Sequence, residues 1–406
     1  MKRCKEMDLD DSKLAAIAGQ FGTPAYVFDE RALRQRVAFL QENLPARAVL
    51  CFAVKANPFA IPLISPVVHR FEVCSPGELN ICRAVGVVPE EIVLSGVYKD
   101  EATLRPLVES GAPIHRYTVE SAGQFQLLYK LAKEFGRKLP LLLRVTTGTQ
   151  FGMDEAVVRD IIARYGADEA VDICGLQVFS GTQKTTARRT RKELAAADAL
   201  IAQLREDYGF EAREFEFGPG LPVEYFDEYD EAGERALLAE VSELLEGMAF
   251  QGPLTLEIGR SLVASCGTYL TSVVDAKTNK GERYAIVDGG KHQMVYYGGG
   301  LVMRQPPCRQ LGLEGADEAT LEQALPWNLC GSLCTTNDFL AKEVPAVDLA
   351  VGDVIAFDRT GAYCMTEGIS LFLSRDLPKV VYAKADGTCK LVREGIPTDP
   401  LNTPQL

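Results

Sequence analysis

Eight times between about residue 47 and residue 258 the chain repeats one theme: a short apolar block, then a stretch of charged and apolar residues at helical spacing. The blocks are RAVLCFAV, HRFEVCS, EIVLS, PIHRYTV, LPLLLRV, ICGLQVF, EFEFG and LTLEIG, with helix-like stretches such as GELNICRAVGV, ESAGQFQLLYKLAKEFG and TRKELAAADALIAQLREDYG between them. A short apolar run without polar alternation reads as a strand buried on both faces, and strand alternating with helix means a parallel sheet with right-handed crossovers. Eight such units predict a closed (β/α)8 TIM barrel, an α/β fold. An open doubly wound sheet is the runner-up. It calls for a Gly-rich dinucleotide turn after an early strand, and neither GxGxxG nor GxxxxGK[ST] occurs.

From about Gly267 the texture changes to β-branched segments of period two: GTYLTSVVDAK, RYAIVDGGKHQ, GDVIAFD, ISLFLS and KVVYA. These predict a C-terminal, mainly antiparallel β domain. A chain of 406 residues is long enough for two cores. The expected division is a barrel over 25–265 and a β domain made of 1–24 plus 266–406, with a short amphipathic lead at Ser12–Phe21. The Pro, Gly and charge-rich stretch Arg304–Thr320 reads as an exposed excursion.

The formal net charge of −13 argues against nucleic acid as a partner, because neutralising phosphates needs clustered cations. MKRCKEMDLDD carries charges where a signal peptide needs an apolar core, and no later segment has the apolar length of a membrane span, so a cytoplasmic location away from membranes is expected. Eleven cysteines, an odd number without regular spacing, fit reduced thiols better than a disulfide framework. Cys330 and Cys334 hint at zinc, but there is no CxxC pair and there are only three histidines, so no metal is expected.

The unusual residues gather at the ends of the eight blocks. Lys55 follows the first, Ser75 the second and Ser95-Gly96 the third; Arg144 ends the fifth; Ser180-Gly181-Thr182, Gly218-Pro219-Gly220 and Glu257-Ile258-Gly259-Arg260 follow the last three. In a barrel these ends converge on the face that carries the chemistry. Lys55 in CFAVKANP has apolar neighbours, which disfavour its charged form and predict a lowered pKa and a nucleophilic amine. A lysine, a carboxylate, an arginine and glycine-rich strand-to-helix turns together suit a pyridoxal phosphate: a Schiff base on Lys55, backbone N–H groups and Arg260 on the phosphate, Glu257 on the ring nitrogen. Taken singly, each has a plainer reading as a snorkelling lysine, a turn or a surface ion pair.

CFAVKANP, FEVCSPGEL, LLLRV, GLQVFSGTQ, FGPG, EIGR, GSLCTTND and GAY follow in order the motifs of the fold-type III pyridoxal phosphate decarboxylases, and the chain resembles the diaminopimelate and ornithine decarboxylase group. The resemblance implies an alanine-racemase-like barrel, a C-terminal β domain joined by N-terminal residues, an amino-acid substrate, and a homodimer with active sites at the subunit interface. It implies Lys55 as the Schiff-base lysine and Glu257 as the carboxylate on the ring nitrogen. Thr182, Gly218, Gly220, Gly259, Arg260 and Tyr363 match cofactor-holding positions, and Glu72 and Arg144 match polar positions beside the cofactor. Cys334 matches a cysteine lent by the partner subunit, the candidate proton donor. An acid facing the ring nitrogen keeps it protonated, which favours decarboxylation; racemases of this fold carry an arginine there.

Three departures bear on substrate. Where the family reads GLHFHIGSQ this chain has GLQVFSGTQ, so Gln177 and Phe179 replace two histidines, and Phe179 keeps the ring-stacking position. Where the family reads CESxD this chain has CTTND: Thr335 replaces the acid that faces a distal ammonium, and Asp338 is retained. Pro219 and Ile258 replace a glycine and a proline. Thr335 cannot neutralise a buried cation. SGTQ resembles a side branch that acts in antibiotic or siderophore assembly, including decarboxylation of glutamate on a carrier protein. The basic run KTTARRTRK, Lys184–Lys192, then becomes a candidate contact for an acidic distal group or carrier, against the plainer reading of a solvated helix start. The expected function is a decarboxylase resembling diaminopimelate decarboxylase; the alternatives are a decarboxylase of a carrier-tethered or acidic amino acid, a racemase, and an inactive family relic.

Overall fold

The computed structural model describes residues 9–296, 304–313, 316 and 318–405. Positions 314, 315 and 317 of the expected excursion, and residues 1–8 of the charged N-terminal stretch, lie outside the described residues. The chain forms two compact units: one of Val37–Pro222 and Asp230–Leu262, the other of residues up to Arg36, Val223–Tyr229 and residues from Val263 onward.

The first strand, β1 (Ala25–Asp29), belongs to the second unit. In the first unit β2 (Ala48–Ala53), β3 (Phe71–Val73), β4 (Ile92–Leu94), β5 (Arg116–Val119), β6 (Leu139–Arg144), β7 (Val171–Phe179), β8 (Glu214–Gly218) and β9 (Leu254–Ile258) close into a barrel. Every pairing around it is parallel. All eight expected blocks are therefore barrel strands. Helices start where capping side chains follow the strands: Ser75, Asp100, Ser121 and Asp230 each accept a backbone N–H of the first helical turn.

The N-terminal end of the barrel is tied by a buried ion network. Glu214 Oε2 lies 2.6 Å from an Arg116 nitrogen and Oε1 3.6 Å from His115 Nε2, and Thr255 Oγ1 donates to Oε1 at 2.7 Å. Burial would raise this carboxyl, but the His115, Arg116 and Thr255 contacts outweigh it and bring its pKa down to about 2. Glu214→Ala is therefore expected to destabilise the protein by about 3 kcal/mol at neutral pH, because it strands Arg116. A folded-state pKa below the unfolded one supplies stability above the ordinary carboxylate range and loses it as pH falls. The deficit should narrow in urea titrations taken toward acid; a constant deficit would remove the ion pair as its cause.

The second unit is built on β10 (Gly267–Asn279), which pairs antiparallel with β1, with β11 (Glu282–Val287) and with β15 (Val354–Phe357). Beyond these lie β12 (Cys308–Gln310), β13 (Leu325–Cys330), β14 (Phe339–Ala346), β16 (Lys379–Ala383) and β17 (Cys389–Arg393). The sheet is mixed: β1 with β16 and β11 with β13 run parallel, the rest antiparallel. The helix Asp11–Phe21 covers one face through Leu14, Ile17 and Ala18.

ISLFLS is not a strand. Its backbone closes on itself through Phe372 N–H to Ile369 O at 2.9 Å and Ser374 N–H to Leu371 O at 3.2 Å, with Leu373 and Ser374 in the left-handed region. Ile369, Leu371, Phe372 and Leu373 are exposed. Apolar alternation makes a strand only where a neighbouring edge supplies the ladder, and local turns satisfy this segment instead.

Candidate active site

β2 runs into a single 3-10 turn, Val54–Ala56. Asn57 Oδ1 then accepts the Phe59 N–H at 3.0 Å and opens the next turn at Pro58. Lys55 is thereby held just past its strand, on the barrel's C-terminal face. Register supplies two carboxylates from the flanking strands, since Ala53 pairs with Glu72 in β3 and Cys51 with Glu257 in β9. Lys55 Nζ lies 2.8 Å from Glu72 Oε2 and 3.0 Å from Glu257 Oε1, although Glu257 is 202 positions away in sequence.

This pairing reverses the expectation of a lowered lysine pKa. Burial pulls Lys55 down, but Glu257, Glu72 and the nearby Cys74 raise it well above the ordinary value. The carboxyls diverge. Burial and then Glu72 push Glu257 up to about 7 against the pull of Lys55. Glu72 is held below the usual range, Lys55 and its hydrogen bonds overcoming burial. One lysine cannot neutralise two buried carboxylates equally, so their pKa values are driven apart, Glu257 upward and Glu72 downward.

Around this centre Gln177 Nε2 donates to Glu257 Oε2 at 3.2 Å. The Phe179 ring is half-buried, with Lys55 Nζ and the Arg144 guanidinium each 5.9 Å from its centroid. Buried Arg144 donates to Glu120 Oε2 at 2.8 Å and lies 4.9 Å from the Phe151 ring. The two glycines of Gly218-Pro219-Gly220 are required by close approach: a Cβ at Gly218 would run into the Phe179 ring, and one at Gly220, where φ is +65°, into Gly181 O. Thr182 is exposed in the facing turn, beside Gly181 and Gln183 with left-handed φ values of +127° and +58°. Gly259 follows β9, and buried Arg260 opens the one-turn helix Arg260–Val263.

The other expected residues lie in the second unit. Cys334 and Thr335 are exposed on the loop between β13 and β14. Asp338 is buried in that loop, its Oδ1 accepting Lys291 N–H and its Oδ2 Leu333 N–H, both at 2.8 Å. Its carboxylate is spent on shaping the backbone. Tyr363, with φ +64°, is partly buried after the tightly packed Gly361.

Residues 30–264 match the family model described as pyridoxal-dependent decarboxylase, pyridoxal binding domain. The chain belongs to the pyridoxal-dependent decarboxylases. Over 99% of its length, and 96% of the relative's, it is 26% identical to a diaminopimelate decarboxylase of Aquifex aeolicus. It is also 26% identical to an L-glutamyl-[BtrI acyl-carrier protein] decarboxylase of Niallia circulans, over 98% of this chain and 97% of that one. In fold it is similar to the crystal structure of diaminopimelate decarboxylase from M. jannaschii in co-complex with L-lysine, with a TM-score of 0.81 at 23% identity over 94% of this chain and 92% of the other.

The decarboxylase's residues fit pyridoxal phosphate on three counts. The strand-end lysine is 36% exposed at its side chain, open to an aldehyde. The Gly218 and Gly220 turn has no room for side chains, and beside it the Ser180 hydroxyl is buried without a partner, a donor suited to a phosphate oxygen. A carboxyl with a pKa of about 7, Glu257, lies 3.0 Å from that lysine and could share a proton with a ring nitrogen. Among the described residues no group of three or more metal-ligating side chains is arranged to hold an ion, the ten described cysteines are free, and no helix is long and apolar enough to cross a membrane.

Sequence reasoning passed over several residues here. Cys74 Sγ is 3.8 Å from Lys55 Nζ, and its thiol faces Glu72 Oε1 at 3.3 Å; its position at the end of the second block was the available signal. Glu120, the partner of Arg144, follows the fourth block in the same way. Glu216 was hidden inside EFEFG, where period two alone says that it shares a face with Glu214.

Proposed function

We propose that this decarboxylase binds its cofactor through Lys55 and removes the α-carboxylate of an amino acid whose far end is zwitterionic, acidic or conjugated rather than a lone ammonium. The observation that carries the site is Lys55 Nζ held between Glu72 and Glu257 at the mouth of a closed barrel. Pyridoxal phosphate, when bound, supplies the electron sink for the pair left as CO2 departs. Lys55 must lose a proton to act as a nucleophile, and Glu257 in its ionised form, with Oε1 at 3.0 Å and a pKa of about 7, is a group able to take it. Phe179 offers a flat apolar face for the ring, which excludes water from that side. Arg260, Thr182 and the Gly218, Gly220 and Gly259 backbone are assigned to the phosphate.

The far-end reading rests on the loop of Thr335. Threonine brings no charge, and both oxygens of Asp338 already accept backbone N–H groups. Thr335 cannot neutralise a buried ammonium and Asp338 is turned to its own loop's backbone, and an uncompensated charge of that kind costs several kcal/mol. Lysine or ornithine would suffer this in full. Diaminopimelate, whose distal ammonium carries its own carboxylate, would not, and neither would a glutamyl or otherwise conjugated substrate. In the basic run Lys184 is buried against Glu193 at 2.7 Å, Arg189 shares Glu193 and Arg191 pairs with Glu240, while Arg188 and Lys192 are exposed. A carrier-borne substrate draws its support from the Niallia relative's name and from Thr335.

CO2 release across diaminopimelate, lysine, ornithine, glutamate and a carrier-linked glutamyl group decides among these readings. Preference for lysine or ornithine would overturn the far-end assignment, and a racemised product that keeps its carboxylate would overturn decarboxylation at this site. We also assign a homodimer in which Cys334 serves the neighbouring subunit, supported by the exposure of Cys334 and of the apolar run at Ile369–Leu373. Cys334→Ala is expected to lower turnover by on the order of 10²-fold or more while the protein keeps its cofactor absorption. An unchanged rate would make the thiol structural.

A further inference from the structure

Glu216 lies in β8 with no exposed surface, and neither carboxyl oxygen has a hydrogen-bond partner. Its neighbours in register are Gln177 in β7 and Thr255 in β9. The Thr255 hydroxyl is already committed to Glu214. Among the charged groups acting on Glu216, Glu257, Glu72 and Glu214 repel its anion and Arg144 opposes them, and the Cys51 thiol also feels Glu216. An ionised Glu216 would be a desolvated anion, without a donor, among three other carboxyls.

Gln177 poses the complementary problem. It is 1% exposed; its Nε2 donates to Glu257 Oε2, and its Oε1 is buried with no partner. A neutral carboxylic acid has one O–H to donate, and a buried amide oxygen needs one. We propose that Glu216 keeps its proton and donates it to Gln177 Oε1, forming a directional chain from Glu216 through the Gln177 amide to Glu257. Glu216 is then a positioning residue. It fixes which end of the amide faces Glu257; the flipped amide would set its oxygen against that carboxyl and remove a donor from it. The burial and the crowding of carboxyls around Glu216 act in the same direction.

The consequence for catalysis rests on the assignment of Glu257 to the cofactor's ring nitrogen, but the proton on Glu216 can be read without cofactor or turnover. Infrared spectra of the purified protein labelled with carboxyl-¹³C glutamate, without and with pyridoxal phosphate, should contain a protonated-carboxyl band that persists from about pH 5 to about pH 9 and is absent in Glu216→Gln. A second such band, absent in Glu257→Gln, should titrate near 7. Glu216→Gln retains a donor and should leave that midpoint within a few tenths of a pH unit. Glu216→Leu removes the donor, frees the amide to flip and should raise the midpoint by about one unit, the equivalent of one hydrogen bond to a charged group. Gln177→Leu, which serves if the Glu216→Leu protein does not fold, should shift the frequency of the Glu216 band by taking away its acceptor. Absence of a persistent Glu216 band, an unmoved midpoint in Glu216→Leu, or an unshifted band in Gln177→Leu would overturn the proposal. Failure to bind pyridoxal phosphate would instead count against the assigned function and leave the Glu216 result intact.

Discussion

Lys55→Ala is expected to abolish the cofactor's visible absorption and to lower CO2 release by on the order of 10³-fold or more. The reason is positional as well as chemical. Lys55 is the amine that strand register places between Glu72 and Glu257, while the neighbouring cation Arg144 is bonded to Glu120. A guanidinium cannot be deprotonated to take over as a nucleophile. Buried Lys99, whose pKa is lowered to about 8 by burial against the pull of Glu120, is turned to Gly96 O at 2.9 Å. The variant should also push the Glu257 carboxyl further up, since it loses the lysine that opposes burial and Glu72. Retention of the visible band in the Lys55→Ala protein would show that another amine holds the cofactor, and the site would have to be redrawn.

Glu257→Gln is expected to lower turnover by about 10²- to 10³-fold, because a neutral amide does not balance charge on the ring nitrogen. It should also change how stability depends on pH. Glu257 has a folded-state pKa of about 7 against an ordinary 4.5, so the folded protein holds a proton that the unfolded chain has released. Its contribution is fully present below the ordinary carboxylate range and is lost as pH rises toward about 7. Glu72, depressed by Lys55, has the opposite sign and loses its contribution only in acid. Urea midpoints for the cofactor-free protein should therefore fall between about pH 5 and pH 7.5 in wild type and fall less in Glu257→Gln. Parallel slopes would mean that Glu257 is ionised throughout and that burial and Glu72 do not raise its pKa.

The barrel was legible because a strand covered by helices on one face and core on the other has no polar alternation, and eight such runs are hard to arrange otherwise. Lys55, Arg144 and Glu257 could be singled out because they interrupt or follow those runs at one consistent end. ISLFLS failed for the converse reason: the same apolar spacing occurs in a segment with no strand edge to join, and its backbone turns back on itself. In the sequence Asp338 stands out only as an acid retained in a family motif. Its two bonds to Lys291 and Leu333 N–H depend on loop geometry that no local pattern encodes.

By itself the sequence determined the element order, the face on which the chemistry gathers and the residue types present there, since burial and turn propensity are local properties of short segments. The tertiary structure alone decided the charges. Apolar neighbours in sequence predicted a lowered Lys55 pKa, whereas carboxylates from β3 and β9 raise it; the split between Glu72 and Glu257, and the isolation of Glu216 beside Gln177, likewise arise only when closure of the barrel brings distant strands into register. Electrostatic energy depends on distance through space and on the water removed along the way, and neither quantity is written in the order of residues along a chain.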